Sequence, residues 1–536
     1  MTGQTQVRTA PPGPTEVRAA WKVAVGALAV AALFVLYWRL SLLAPVDSDG
    51  AGNALQARDM LHGNLLLHHW WMTDVSFYTT ELPQYMLIVA VLGLGPSVVH
   101  VAAAMTYTLL VVLAALLAKG RAQGKAGLAR ALLAAGIMLV PQLSATQIVL
   151  LQPDHTGTSV PILVAWLVID RRPRTWPPWL GPAVVCVILG AAAVADTAAL
   201  LTGIVPLVLV CLVRACPGVM RGPRTEPRWY ELFLAGAGAI AGLGYYAPRF
   251  ITALGGYRQW PVGTGLAPVH FWARGAKWTF QGVLELYGAN IYQASPGIEV
   301  VFTAVHLAGA ILVVWAVVLA LARFFRFQDL VIPVLALGIM LNLAAYLTSL
   351  RSHGILSTRE IAGVLPLGAA LAGRMFGERA LAVVLAARRA KAWVLPALAV
   401  VAFGYLGALA YHAAQPSVPP DNQPLAAWLV QHQLTDGLAG YWEASSTTVD
   451  SGGKVQVSAV VPNGKGLLVP YQWETDDSDY NPSLHHADFV VTDGGPRPLP
   501  GGRSAALRTF GPPQRVYRYD GYTIMVWPTN LLKHLG

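Results

Sequence analysis

Two acids, Asp47 and Asp49, stand in the stretch APVDSDGAGNALQARDMLHG, directly after the first long apolar run of the chain. Carboxylates so placed can do three things. Either can cap a helix, and Asp49 directly precedes a helical pattern. Either can take a proton from a hydroxyl as a general base. Together they can offer oxygen ligands to a divalent cation such as Mg2+ or Mn2+, although two carboxylates make only a partial set. After Asp49, Ala51, Ala54, Ala57 and Leu61 share one helical face, while Asn53, Gln56 and Asp59 lie on others. That spacing predicts a helix lying along the outer surface.

Further candidates lie downstream, each with an ordinary alternative. Glu81 in TTELPQY can orient a substrate or assist Asp49, or be a plain loop acid. Asp154 and His155 in LQPDHTGTSV can face a cavity or cap the next helix. Arg359 in STREIAGVLP is the first choice to meet a phosphate, with Arg351 and His353 behind it. Lys277, Arg274 and Arg249 can also bind phosphate, although solvated charge is the usual state of such residues. Asp196 falls between two apolar runs and caps the second if a turn lies there. His68 and His69 beside Trp70 and Trp71 read as interfacial anchoring rather than metal ligation, since no further ligands accompany them.

The elements that must position these residues are membrane helices. The chain has 536 residues, 55% of them hydrophobic and 12% charged, where soluble domains carry about 25% charged residues. Its apolar runs predict about eleven spans, near 21–43, 97–118, 131–150, 156–170, 179–196, 198–213, 231–248, 300–322, 330–350, 360–373 and 393–413. Basic residues recur in alternate loops, around Arg18, Arg121, Arg171, Arg221, Arg323 and Arg388. That alternation puts the N-terminus in the cytoplasm of a multi-pass plasma-membrane protein and the C-terminus outside. It also accounts for the net charge of +10 without a nucleic-acid partner.

Residues 1–20 read as a disordered cytoplasmic tail, 21–413 as the membrane domain and 414–536 as an extracytoplasmic α/β domain. Loops 44–96 and 249–299 lie on the outer side, with Trp70, Trp71, Phe77, Tyr78 and Tyr85 suited to the bilayer interface. Within the last region KVQVSAVV, ADFVVTD and YTIMVW alternate as strands do, and PLAAWLVQHQL is helix-like. Cys186, Cys211 and Cys216 have no CxxC spacing and predict neither a disulfide nor a structural zinc site.

Asp49, followed eight residues later by ARDML (Ala57 to Leu61), resembles the first outer loop of the GT-C fold glycosyltransferases, including the lipid A arabinosyl and protein O-mannosyl transferases. TTELPQY, LGLGPSVVHVAAA, VADTAALLTGIVPL, STREIAGVLPLGAAL and GYWEASSTTVDSGGKVQVSAV extend the likeness along most of the chain. One departure is Gly50, where many members carry a second acid; Asp47 is then the only near acidic neighbour. The resemblance implies an inverting sugar transfer from a polyprenyl-phosphate donor to an extracytoplasmic acceptor, among membrane lipids. Such a reaction needs a base for the acceptor hydroxyl and positive charge for the departing phosphate. Asp49 is the candidate base, Asp47 an alternative or supporting acid, and Arg359 the candidate phosphate partner.

Two other classes are weighed against this. A secondary transporter would show paired repeats and ionisable residues at mid-bilayer; the chain has no convincing repeat, and its ionisable residues cluster near the outer interface. A non-catalytic scaffold would tolerate loss of Asp49.

Overall fold

In the computed structural model the described residues are 14–141, 145, 147–151, 155–220, 227–262, 265–292, 298–495 and 497–535. Long apolar sequence folds as helix because only a helix satisfies its own backbone groups in lipid. Five helices are long and apolar enough to cross a membrane: Ala20–Ser41, Ser97–Lys119, Glu299–Ala322, Val331–Thr348 and Val394–Ala413. A sixth candidate is the pair Ile355–Ile361 and Val364–Arg389, bent by 55° at its break. The remaining expected spans fall on shorter or broken helices, such as Leu180–Ala195 and Leu200–Ala215. The result is a multi-pass helical membrane protein.

The sides of the bundle can be followed through its contacts. Arg374 donates to Leu117 O, reaches Asp170 and lies 2.5 Å from Asp329, so loops carrying the basic residues gather at one end. At the other end Arg39 donates to Ala413 O and Gln415 O, and Val418 N to Leu42 O, so the first and last helices finish side by side. The chain beyond Ala413 therefore leaves next to α1 (Pro14–Ser41).

Strands β1 (Trp70–Met72), β2 (Arg258–Gln259) and β6 (Thr475–Asp476) form a small sheet, β1 parallel to β2 and antiparallel to β6. One piece each of loop 44–96, loop 249–299 and the tail is thereby tied together. The tail itself builds a six-stranded mixed sheet in the order β5 (Leu468–Pro470), β4 (Gln456–Pro462), β3 (Asp436–Ala439), β7 (Phe489–Asp493), β9 (Tyr522–Val526), β8 (Arg515–Tyr519). Both sheet faces are apolar, one packing around Leu438, Val490 and Met525 and the other around Phe489, Val491 and Ile524.

Two expectations change. Helix α2 (Ser48–Leu61) does not lie on the surface: Asn53 and Gln56 are buried, because the tail helix Tyr441–Asp450 covers it. Ala51, Ala54 and Ala57 pack with Tyr85 of α3 (Glu81–Leu92), Val98 of α4 (Ser97–Lys119) and Val449. Similarly, Trp70, Phe77 and Tyr85 are buried inside the protein rather than spread along the bilayer interface. Trp70 Nε1 donates to Asp59, and Trp71 Nε1 to Asp477.

Candidate active site

Asp47 is the N-cap of α2 and accepts the Gly50 N–H at 3.1 Å, so the capping role falls on Asp47 and not on Asp49. Burial, followed by the negative charge of Asp49, pushes the Asp47 carboxyl up to about 7. Asp47→Asn should keep the cap, since Asn caps as well as Asp, whereas Asp47→Ala should cost about 1 kcal/mol of stability. Thermal unfolding of the two variants checks this ordering.

Asp49 occupies the first turn of α2, where a negative charge is favoured. Gly50 explains why no acid follows it: a Cβ there would sit 2.6 Å from Val99 Cγ1. Asp49 instead opens into a cavity of about 810 Å3, a size suited to an organic ligand. Its wall combines Thr73 and Asp74 of loop 44–96, side chains between Leu350 and Glu360 that run into the first helix of the bent pair, and Tyr441, Trp442, Glu474 and Arg497 of the tail.

Around Asp49 the contacts are short. The Tyr441 hydroxyl lies 2.5 Å from Asp49 Oδ1 and 2.6 Å from Glu474 Oε2. On the other oxygen, Arg359 Nη1 lies 3.7 Å from Asp49 Oδ2. Arg351 is held by two carboxylates, Asp74 at 2.6 Å and Glu360 at 2.7 Å. Behind Glu360, His155 Nε2 stands 2.9 Å from Glu360 Oε2 and its Nδ1 2.8 Å from Asp196 Oδ2. Asp196 also accepts from Thr158 and from the Ala198 N–H, and it stands as the C-cap of Leu180–Ala195, while the N-cap before Leu200–Ile204 is Ala199.

The sequence candidates thus divide. Asp49, Arg351, His353 and Arg359 share one cavity, and His155 supports it from behind through Glu360. Glu81 does not reach the cavity wall. It is buried against Gly157, where a Cβ would lie 1.8 Å from Glu81 Oε1, and burial pushes its carboxyl up to about 8. Lys277 is exposed on the helix Trp272–Leu286, over the Trp278 ring at 5.6 Å and away from the cavity. Arg249 and Arg274 likewise lie over aromatic rings, of Tyr246 and Phe271. His68 Nδ1 donates to Gly255 O, a loop contact. Asp154 lies outside the described residues.

A cation site at Asp47 and Asp49 is not formed. Asp47 is turned to the Gly50 N–H and Asp49 to Tyr441 and Arg359. Among the described residues no three His, Cys, Asp or Glu side chains converge as ligands.

Sequence reasoning missed Asp74, Tyr441, Trp442, Glu474 and Arg497. Arg497 stacks over the Trp442 ring at 3.8 Å on the cavity wall. Tyr441 and Trp442 open the GYWEASSTTVD segment, which was legible as a motif, but nothing local marks its side chains as partners of Asp49.

The fold is of the GT-C type, as the sequence resemblance implied. The crystal structure of ArnT from Cupriavidus metallidurans bound to undecaprenyl phosphate matches with a TM-score of 0.53 at 14% identity, over 94% of this chain and 98% of that one. The oligosaccharyltransferase of Archaeoglobus fulgidus, in complex with Zn and sulfate, matches at 0.46 and 14% identity, over 87% of this chain and 67% of that one. No family model and no curated protein sequence matches the chain.

Proposed function

We propose that the protein is a membrane glycosyltransferase that moves a sugar from a polyprenyl-phosphate donor to an acceptor hydroxyl, on the extracytoplasmic face where the tail lies. The ArnT structure that shares this fold holds undecaprenyl phosphate, which makes a polyprenyl phosphate the lipid of choice here. The observation that carries the reading is the pairing of Asp49 with Arg359 across 3.7 Å in one cavity.

The chemistry follows from charge. As the acceptor oxygen attacks the anomeric carbon, its proton goes to Asp49. The bond from that carbon to the phosphate oxygen breaks, and the electron pair leaves on the phosphate. Arg359 stabilises the charge that develops there. A single displacement inverts the anomeric centre. Arg351 holds Asp74 and Glu360 at the cavity wall, and His155 and Asp196 brace Glu360, so this chain of charges shapes the pocket rather than joining the transfer.

The test uses the purified full chain in native lipid with labelled polyprenyl-phosphate sugars and an envelope extract as acceptor. Release of polyprenyl phosphate, matched by label in the acceptor fraction, is expected for one donor. Absence of release from pentose and hexose donors alike would remove the transferase reading.

A further inference from the structure

The aromatic side chains Tyr441, Trp442, Tyr471 and Trp473 of the tail line the same cavity as Asp49. Tyr441 and Tyr471 meet edge to face, with ring centroids 5.4 Å apart. Such rings offer flat apolar faces and polar tips, which suits the C–H face and hydroxyl rim of a sugar. Arg497 lies beside them, over the Trp442 ring at 3.8 Å. A guanidinium in that position uses its face on the ring and keeps its N–H edge for a ligand.

Arg497 differs from the other arginines of the cavity. Arg351 is held by Asp74 and Glu360, and Arg359 faces Asp49. Among the described residues no carboxylate lies within ion-pair distance of Arg497, and no group accepts a hydrogen bond from it. Asp47 feels its charge only at longer range. A guanidinium carries five N–H donors and no acceptor, so this one has room for an oxyanion.

The loop that carries Arg497 is fixed on both sides. Gly494 has a φ of 98°, and a Cβ there would lie 2.5 Å from Tyr522 Cδ1. Gly501, with a φ of 72°, precedes the helix Gly502–Phe510. Both positions favour glycine. Between them Leu499 is buried in the apolar core of the tail and pins the loop close to Arg497. Solubility alone asks for no such fixing.

We infer that Arg497 forms an anion subsite for the acceptor, a saccharide that carries a carboxylate or phosphate near the hydroxyl to be glycosylated. The guanidinium fork can meet two oxygens of either group at once. Its place in the chain separates this subsite from the donor phosphate. Arg497 lies beyond the last membrane helix, Val394–Ala413, whereas a polyprenyl phosphate is held where its chain enters lipid. The exposed apolar residues of the cavity wall, Leu350 and Leu356, come from the segment between membrane helices instead. Arg497 thus selects the acceptor and takes no part in proton transfer. Assigning the anion to an acceptor rests on the transferase reading; the anion subsite itself does not.

Binding to the full chain in native lipid, with no donor present, tests the subsite. The probes are methyl glucuronide, glucose 6-phosphate and methyl glucoside, titrated calorimetrically against wild type, Arg497→Ala and Arg497→Lys. The charged probes should bind wild type about tenfold or more tightly than the neutral one. Arg497→Ala should erase that preference, and Arg497→Lys should keep part of it. Whichever charged probe binds more tightly identifies the acceptor group as carboxylate or phosphate. No preference in wild type, or one that survives Arg497→Ala, overturns the subsite.

For turnover, the envelope extract is separated by anion exchange, and label should enter its acidic saccharides. Arg497→Ala should raise the KM for that fraction about tenfold or more and leave the KM for the donor unchanged. A rise in donor KM instead would give Arg497 to the donor phosphate and overturn the acceptor assignment. A charge preference that depends on Arg497, without turnover of any donor, would sink the transferase reading and leave the subsite. Turnover onto neutral saccharides, equal in wild type and Arg497→Ala, would do the reverse.

Discussion

Asp49→Asn should reduce sugar transfer by about 10²–10⁴-fold, the range associated with loss of a positioned general base. The substitution is nearly isosteric. Its amide oxygen can still accept from Tyr441, and Gly50 still packs on Val99, so α2 should keep its place between α4 and the tail helix. What disappears is the negative charge and the basic lone pair. An acceptor hydroxyl would then have to lose its proton to water or not at all. The measurement is polyprenyl phosphate released per protein, beside a melting curve that shows the variant folded. Equal release from both proteins would end the role of Asp49 as base.

How much of this could be read in advance depends on the range of each interaction. Membrane helices were legible because length, apolar content and flanking basic residues are local properties, and helices such as Ser97–Lys119 and Val331–Thr348 follow them closely. Strands β4, β7 and β9 were legible from alternation. β3, written Asp-Gly-Leu-Ala, was not, because two of its four residues are poor strand formers and its place is set by pairing with β4 and β7. Periodicity placed Asn53 and Gln56 on exposed faces because it registers one apolar stripe and cannot foresee a second cover, here the helix Tyr441–Asp450. The cap moved by two residues, from Asp49 to Asp47, within the usual uncertainty of a helix boundary. Asp49 and Arg359 were chosen as chemically apt singles. Their meeting, and that of Asp49 with Tyr441 across 392 positions of sequence, exist only once the tail closes over α2.

Arg359→Ala should lower kcat by about 10²–10³-fold, the scale seen when a group that stabilises developing negative charge is removed. The effect should fall on kcat more than on KM. The phosphate diester of the donor already carries one charge in the ground state, and a second develops only as the bond to the sugar breaks. Arg351 is poorly placed to compensate, since Asp74 and Glu360 hold its guanidinium at 2.6 and 2.7 Å. Arg359→Lys should retain part of the rate: an ammonium keeps the charge but loses the planar fork that can meet two phosphate oxygens. Arg351→Ala should behave differently, disturbing the Asp74–Glu360–His155 chain and showing first as lost thermal stability. A rise in KM with unchanged kcat for Arg359→Ala would mean that this side chain holds the donor without easing departure of the phosphate. The positive charge required in the transition state would then have to come from another cavity residue, for which Arg497, stacked on Trp442 in the cavity wall, is the next to substitute.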